Sequence, residues 1–291
     1  MALVVLLLGV GLVQAAILQV NIEPKEVRQG DLMLLQVEGV EGVSLIDGRF
    51  GERPLQFFPL PGGGFGALVG IDFEEPPGSR SFAIEVVDPF GRRAEVRGEV
   101  EVKGLEFPIQ RLTVPKAMAE PDQETLRRIE REIETLKALW AMTTPGRHWQ
   151  EPFLFPVDGG AEPLGFGVRR IINGEERSRH SGVDIAAPSG TQVFASNAGR
   201  VALVGEYFFP GRFVILDHGL GLYTMYFHLQ AIMVEEGQLV HKGQPIGTVG
   251  ATGRATGPHL HFAARFNGSR VDPISLLKLS PSREPPASPA P

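Results

Sequence analysis

Gly257-Pro258-His259-Leu260-His261-Phe262 is the stretch on which the fold turns. Successive side chains on a strand point to opposite faces, so His259 and His261 project to one side while Leu260 and Phe262 project to the other. The apolar pair asks for a core. The imidazole pair shares one cleft, where neighbouring polar nitrogens without partners would be costly and a bound cation relieves that cost. The segment therefore reads as a strand with a sheet core behind it and a cation site in front.

Two other segments supply companions. In His180-Ser181-Gly182-Val183-Asp184, full extension would hold the end residues about 13 Å apart at 3.3 Å per residue, too far for one ion. A bend at Ser181-Gly182, where glycine tolerates the angles of a bulge, would let them converge. A helix is disfavoured by Gly182 and by the following Ile185-Ala186-Ala187-Pro188. The third segment is Tyr226-Phe227-His228-Leu229. Three nitrogen and oxygen ligands with one position left for water describe a catalytic zinc, and His180, Asp184 and His261 fit that set. His228 and His259 remain, suited to general acid and base work near neutral pH. The His-Glu-x-x-His helix of other zinc peptidases is absent, so histidine must stand in for the usual glutamate base. His218 and His241 lie in glycine-marked turns and read as structural or exposed, and His148 beside Trp149 reads as packing.

The whole chain bounds this reading. Its 291 residues exceed the usual size of one core, so two folded units are expected, and 36 glycines with 24 prolines tilt them toward short strands and many turns. A net charge of -6 gives no basic field for a phosphate backbone or an anionic membrane, which disfavours both as partners, and no nucleic acid is expected. With no cysteine, disulfides and thiolate ligands are excluded, and any metal must sit on His, Asp or Glu.

Residues 1–16 (MALVVLLLGVGLVQAA) read as a signal peptide ending in small residues, which implies export to the periplasm or cell envelope. Lys and Arg are absent from its start, so an uncleaved anchor is the alternative. Residues 17–104 alternate apolar stretches (Leu34, Val37; Val96, Val100, Val102) with the turn signals Asp47-Gly48, Pro61-Gly62 and Asp88-Pro89. Roughly seven strands is the count of an immunoglobulin-like sandwich. The glycines from Gly62 to Gly70 read as a hairpin turn, since no phosphate-loop lysine follows. Residues 105–146 form a linker with a helix over 122–142, capped by Asp122 and striped by Leu126, Ile129, Ile133, Leu136 and Trp140. That stripe is too short for a free coiled coil and should pack on a neighbouring domain. An envelope protein docking on the helix or the first domain is a second expectation. Strand texture returns over 147–279, with Asn173-Gly174 and Asn267-Gly268 as hairpin turns, and the Ser, Pro and Ala of 280–291 should stay disordered.

From about Phe166 to Pro273 these segments resemble the lysostaphin-type, LytM-like zinc endopeptidases of peptidoglycan. H-x-x-x-D, Y-x-H-L and H-L-H-F occur in family order, joined by the similar stretches Gly182 to Pro188 and Gly253 to Pro258. The resemblance implies a mainly β protein whose C-terminal domain is a LytM-like antiparallel sheet. It implies Zn2+ on His180, Asp184 and His261, with His228 and His259 as the catalytic pair. The implied substrate is peptidoglycan, cut at an amide of the peptide stems or crosslinks, whether a polyglycine bridge or a direct D-amino-acid link. Some relatives have lost these residues and act only as activators of other cell-wall hydrolases. A catalytically silent activator is therefore the alternative function, against which the complete five-residue set argues. Tyr226 also matches, and donation to substrate and simple packing are both open for it. Arg169 and Asn173 fall near the family's cleft-forming segment.

Overall fold

The computed structural model describes residues 3–4, 18–40, 42–113, 121–176 and 179–279. The export signal expected over residues 1–16 lies outside these apart from Leu3–Val4, which pair with Gln19–Val20, and the tail at 280–291 lies outside them entirely. The chain divides into two units, Met1–Leu105 with Gln150–Pro152 and Lys278–Pro291, and Glu106–Trp149 with Phe153–Leu277.

In the first unit, period-two burial drives sheet formation. Gly78–Val87 buries Phe82, Ile84 and Val86, and Arg93–Lys103 buries Val96, Val100 and Val102. Two five-stranded sheets enclose one core that includes Leu35, Phe50, Ile71 and Ile84. Among the described residues the strands number ten where the turn signals predict about seven. The extra three, Leu3–Val4, Val27–Arg28 and Arg53–Pro54, are two-residue pairings at sheet edges. Pro61-Gly62 and Asp88-Pro89 lie at turns as expected, but Asp47-Gly48 does not. It sits inside the strand Leu45–Phe50, opposite Glu85 and Ile84. A Cβ on Gly48 would stand 2.8 Å from the Ala83 carbonyl oxygen and 3.2 Å from the Phe57 ring, so this glycine serves close approach rather than a turn.

The second unit is built on an antiparallel sheet ordered Gly182–Ala186, His259–Phe266, Leu222–Ile232, Gly211–Asp217, Gly199–Tyr207, Leu239–Val240. One face carries Val183, Ile185, Tyr226, Leu260 and Phe262 into a closed apolar core. On the opposite face Phe213, Ile215, Tyr223 and Met225 receive the linker helix. Asn173-Gly174 and Asn267-Gly268 both adopt positive φ at both residues, the geometry that two-residue hairpin turns require.

The helix spans Gln123–Trp140 and begins where the Asp122 carboxylate accepts from the Thr125 amide at 2.8 Å. It packs on the sheet through Leu136, Leu139 and Trp140, neighbours at i, i+3 and i+4 on one helix face. Leu139, outside the predicted stripe, is buried, whereas Leu126 and Ile133 of that stripe stay 44% and 41% exposed. Ile129 of the stripe is buried as well, at 6%, and with Ile133 and Leu136 it lines a cavity shared with His180, His228 and His261. A polar clamp fixes this placement. Glu132 accepts from the Phe208 amide at 2.9 Å and from Arg128 at 2.7 Å, and Arg128 also donates to the Glu206 carbonyl at 3.0 Å.

Candidate functional site

The sheet register brings the candidate residues together. Asp184 lies directly opposite His261, Ala186 opposite His259, and Phe227 opposite His261 on its other side. Cross-strand partners on one face have Cβ atoms about 4.5–5.5 Å apart, so Asp184 and His261 must meet. Their Oδ1 and Nδ1 atoms are 3.0 Å apart. His180 stands before the strand, held by backbone bonds from its amide to the Val168 carbonyl and from the Gly167 amide to its own carbonyl. Its Nε2 reaches 2.8 Å from His261 Nδ1 and 3.1 Å from Asp184 Oδ1.

His180 and Asp184 converge as expected, but without a left-handed backbone at Gly182. Gly182 is the first residue of the strand Gly182–Ala186, and His180 and Ser181 lie outside it. Glycine is needed there for space. A Cβ would sit 2.5 Å from the Phe262 carbonyl oxygen and 2.7 Å from His261 Nε2. Gly182→Ala is therefore expected to cost about 1–3 kcal/mol through overpacking and to weaken metal binding by displacing His261. Thermal unfolding with and without added zinc checks this, and an unchanged melting temperature with an unchanged zinc shift would contradict it.

These three side chains form a group whose ligand atoms all lie within 4.8 Å of one another. The His180 Nδ1 faces the Gly165 carbonyl at 2.8 Å, which can only accept, so Nδ1 carries the proton and Nε2 presents its lone pair to the cluster. Two nitrogen donors and a carboxylate facing one another repel unless a proton or cation lies between, and one divalent ion satisfies all three. A tetrahedral ion with donors about 2.0–2.1 Å away spaces them about 3.3 Å apart, so the observed 2.8–3.1 Å needs an outward shift of only a few tenths of an ångström. The donor set fits zinc. Burial opposes the charge of Asp184, but the adjoining His180 and His261 imidazoles outweigh it and hold the carboxyl well below the usual carboxylate range. Burial pushes His261 down to about 4 against the pull of Asp184, which keeps it an unprotonated ligand at neutral pH.

His228 reaches the site by a route the strand pattern hides. Alternation from Tyr226 would turn it into the apolar core, yet its ring lies 4.8 Å from that of His259 and 6.0 Å from that of His261. The cause is a left-handed backbone, φ 63°, beside a register shift against Gly211–Asp217. Such a conformation in a non-glycine residue is strained and needs support. Its amide donates to the Pro210 carbonyl and its Nδ1 to the Thr252 carbonyl, each at 2.8 Å. His259 Nδ1 likewise donates to the Gly257 carbonyl at 2.8 Å. Both rings therefore hold Nε2 as the unprotonated nitrogen, and that of His259 lies 3.6 Å from Asp184 Oδ1. Burial, then the neighbouring His261 and His259, push His228 down to about 3, so it is a neutral proton acceptor at pH 7.

The other candidates sort plainly. Tyr226 is fully buried, its hydroxyl accepting from the Ser196 amide and the Thr224 hydroxyl, so it packs and does not face the cleft. His218 is buried between the Ala198 carbonyl and Thr224, and His241 is exposed. His148, expected to pack, is exposed, and its neighbour Trp149 is buried in its place. Asn173 occupies its exposed turn. Arg170 is the cleft residue that sequence reasoning missed, with Nη2 3.2 Å from Asp184 Oδ2. On the strand Arg169–Ile172 the two arginines point to opposite faces, and nothing in Arg169-Arg170 says which one faces the cleft. Phe227, stacked on His261 with ring centroids 5.3 Å apart, was also missed as part of the wall.

Peptidase family M23 matches this chain over residues 178–273, the span that holds all five site residues. A solved structure from Pseudomonas aeruginosa assigned to peptidase M23 is 34% identical, with 87% of this chain and 95% of that one covered at a TM-score of 0.65. The DD-carboxypeptidase/endopeptidase Mpg of Neisseria meningitidis is 41% identical over 121 residues, 42% of this chain and 27% of that protein. The peptidoglycan DD-endopeptidase ShyA of Vibrio cholerae is 40% identical over 126 residues, 43% of this chain and 29% of that protein. This chain thus spans less than a third of the length of these curated relatives.

Proposed function

This chain belongs to peptidase family M23, of the lysostaphin and LytM type, and from that premise we propose that it is a zinc-dependent endopeptidase hydrolysing amide bonds in the peptide part of bacterial peptidoglycan. The observation that carries the proposal is the pair of imidazoles, His228 and His259, whose Nδ1 atoms are tied to backbone carbonyls and whose Nε2 atoms are left as acceptors beside the three-donor cluster. A pure scaffold has no chemical need for them. The names of the similar proteins from Neisseria and Vibrio support the substrate class. By the same reading the protein acts in the periplasm or cell envelope, where that substrate lies.

His180, Asp184 and His261 would hold the zinc. When bound, it supplies Lewis acidity, which polarises an amide carbonyl and brings the pKa of a water from 15.7 toward about 7. Nε2 of His259 or His228 accepts the proton of the attacking water as the new C–O bond forms. The same proton passes to the leaving nitrogen as the C–N bond breaks, while the other imidazole, its Nε2 likewise an acceptor, orients the attacking water by accepting a hydrogen bond from its second O–H. The Thr252 and Gly257 carbonyls keep each ring in the tautomer this requires.

Digestion of purified sacculi tests the proposal. Zinc-loaded protein should release soluble muropeptides, a chelator should stop release, and added zinc should restore it. Zinc-loaded protein that binds sacculi yet releases nothing would instead identify a silent activator, and chelator-insensitive release would remove the metal from the mechanism.

A further inference from the structure

His228 owes its place in the cleft to an irregularity of the sheet. Arg212 pairs with Leu229 and Val214 with Tyr226, so between these pairs one strand advances two residues and the other three. The strand Leu222–Ile232 therefore carries one extra residue at Phe227-His228, where the left-handed φ of 63° falls. Its pairing with Pro245–Val249 shifts too, between Leu229 and Ala231. A bulge interrupts the ladder, and the backbone amides and carbonyls that it releases need other partners.

Thr252 supplies them. Arg212 and Leu229 face each other in the register, yet the Arg212 amide donates to the Thr252 hydroxyl at 2.9 Å, and that hydroxyl donates to the Leu229 carbonyl at 2.8 Å. The side chain stands between a ladder amide and a ladder carbonyl, as an inserted water would. Gly211 leaves the approach open, since a Cβ there would collide with Thr252 Oγ1. The carbonyl of the same residue accepts from His228 Nδ1 at 2.8 Å. Every residue type brings that carbonyl, but a short side chain whose one oxygen both accepts and donates is a property of serine and threonine.

We propose that Thr252 is a positioning residue for catalysis: its hydroxyl, inserted between Arg212 and Leu229, holds open the bulge that turns His228 into the cleft, while its carbonyl fixes the tautomer of the ring. Without the hydroxyl, the Arg212 amide and the Leu229 carbonyl are left unpaired or close on each other. Either outcome draws the extra residue, and His228 with it, out of place. The consequence for turnover rests on the hydrolase reading above, whereas the placement of His228 does not.

The test compares the full zinc-loaded chain with its Thr252→Val, Thr252→Ala and Thr252→Ser variants on a crosslinked peptidoglycan peptide. Valine puts a methyl where the hydroxyl was, and kcat should fall by about tenfold to a hundredfold, as it does when a reacting group is misplaced by about 1 Å. KM should stay within about twofold, because the loss falls on the chemical step. Zinc content should not change, since Thr252 lies outside the three-donor group. Serine keeps the oxygen and should return kcat to within about threefold of the parent, and alanine, which leaves room for a water, should lie between serine and valine. Nitrogen NMR of the imidazoles reads the placement without turnover. The parent and the serine variant should show His228 as a single Nδ1-protonated tautomer, and the valine variant a mixture. A valine variant with the parent's kcat or the parent's His228 spectrum, or a serine variant as impaired as valine, would overturn the proposal. Should the valine variant fail to fold, equal kcat for serine and alanine would overturn it instead. If none of the proteins hydrolyses the peptide while the His228 spectrum still follows the hydroxyl, the hydrolase reading fails and the positioning role stands.

Discussion

His259→Ala and His228→Ala proteins are each expected to lose at least about a hundredfold in turnover of crosslinked peptide while keeping their zinc, the lower end of what positioned acid and base groups contribute. The expectation follows from how each ring is held. Neither imidazole belongs to the three-donor group, so removing one leaves the ligand atoms of His180, Asp184 and His261 in place. Each does fix an Nε2 acceptor by donating Nδ1 to a backbone carbonyl, which alanine cannot replace. The His228 variant should also be the less stable of the two, because alanine leaves a void at a buried position and removes the Thr252 carbonyl's imidazole donor, on a backbone already in the left-handed region. Metal content and steady-state rates measured on the same preparations separate these effects. A double variant with undiminished turnover would end the assignment of these histidines.

Asp184→Asn has the second large effect. Asparagine keeps the size of the side chain and removes the charge that two imidazoles and Arg170 surround. Zinc affinity should fall by more than the 10–100-fold typical of losing a residue that only supports a ligand, and activity at limiting zinc should fall with it. His261→Ala should do the same and also leave Phe227 without its stacking partner. Folding should survive Asp184→Asn, since the strand's core face is carried by Val183 and Ile185. Circular dichroism and equilibrium dialysis against zinc check both halves of the expectation. A variant that binds zinc as tightly as the parent would remove Asp184 from the ligand set.

The parts of this site that were legible in the sequence are those governed by local periodicity. His259 and His261 share a face because strands repeat every two residues, and Leu260 and Phe262 fill the core for the same reason. The pairing of Asp184 with His261 depends on register between segments 77 residues apart, which no local pattern encodes. His228 breaks the alternation that would otherwise place it, because its backbone is left-handed beside a bulge. A glycine misled where its purpose was room. Gly48 reads as a turn, yet it sits in an extended strand against a neighbour's backbone. The helix was visible from its cap and stripe, but Leu139 shows that spacing alone does not give the angle at which a helix meets a sheet. Its place beside the histidines, and the turn of Arg170 toward Asp184, are tertiary outcomes.

Zinc-edge X-ray absorption on the loaded protein tests the central claim most directly. One ion per chain should show two imidazole nitrogens and one carboxylate oxygen, with an exchangeable light atom as the fourth neighbour at about 2.0–2.1 Å. A protein that refuses zinc, or one whose ion has four protein ligands and no exchangeable position, would contradict the account.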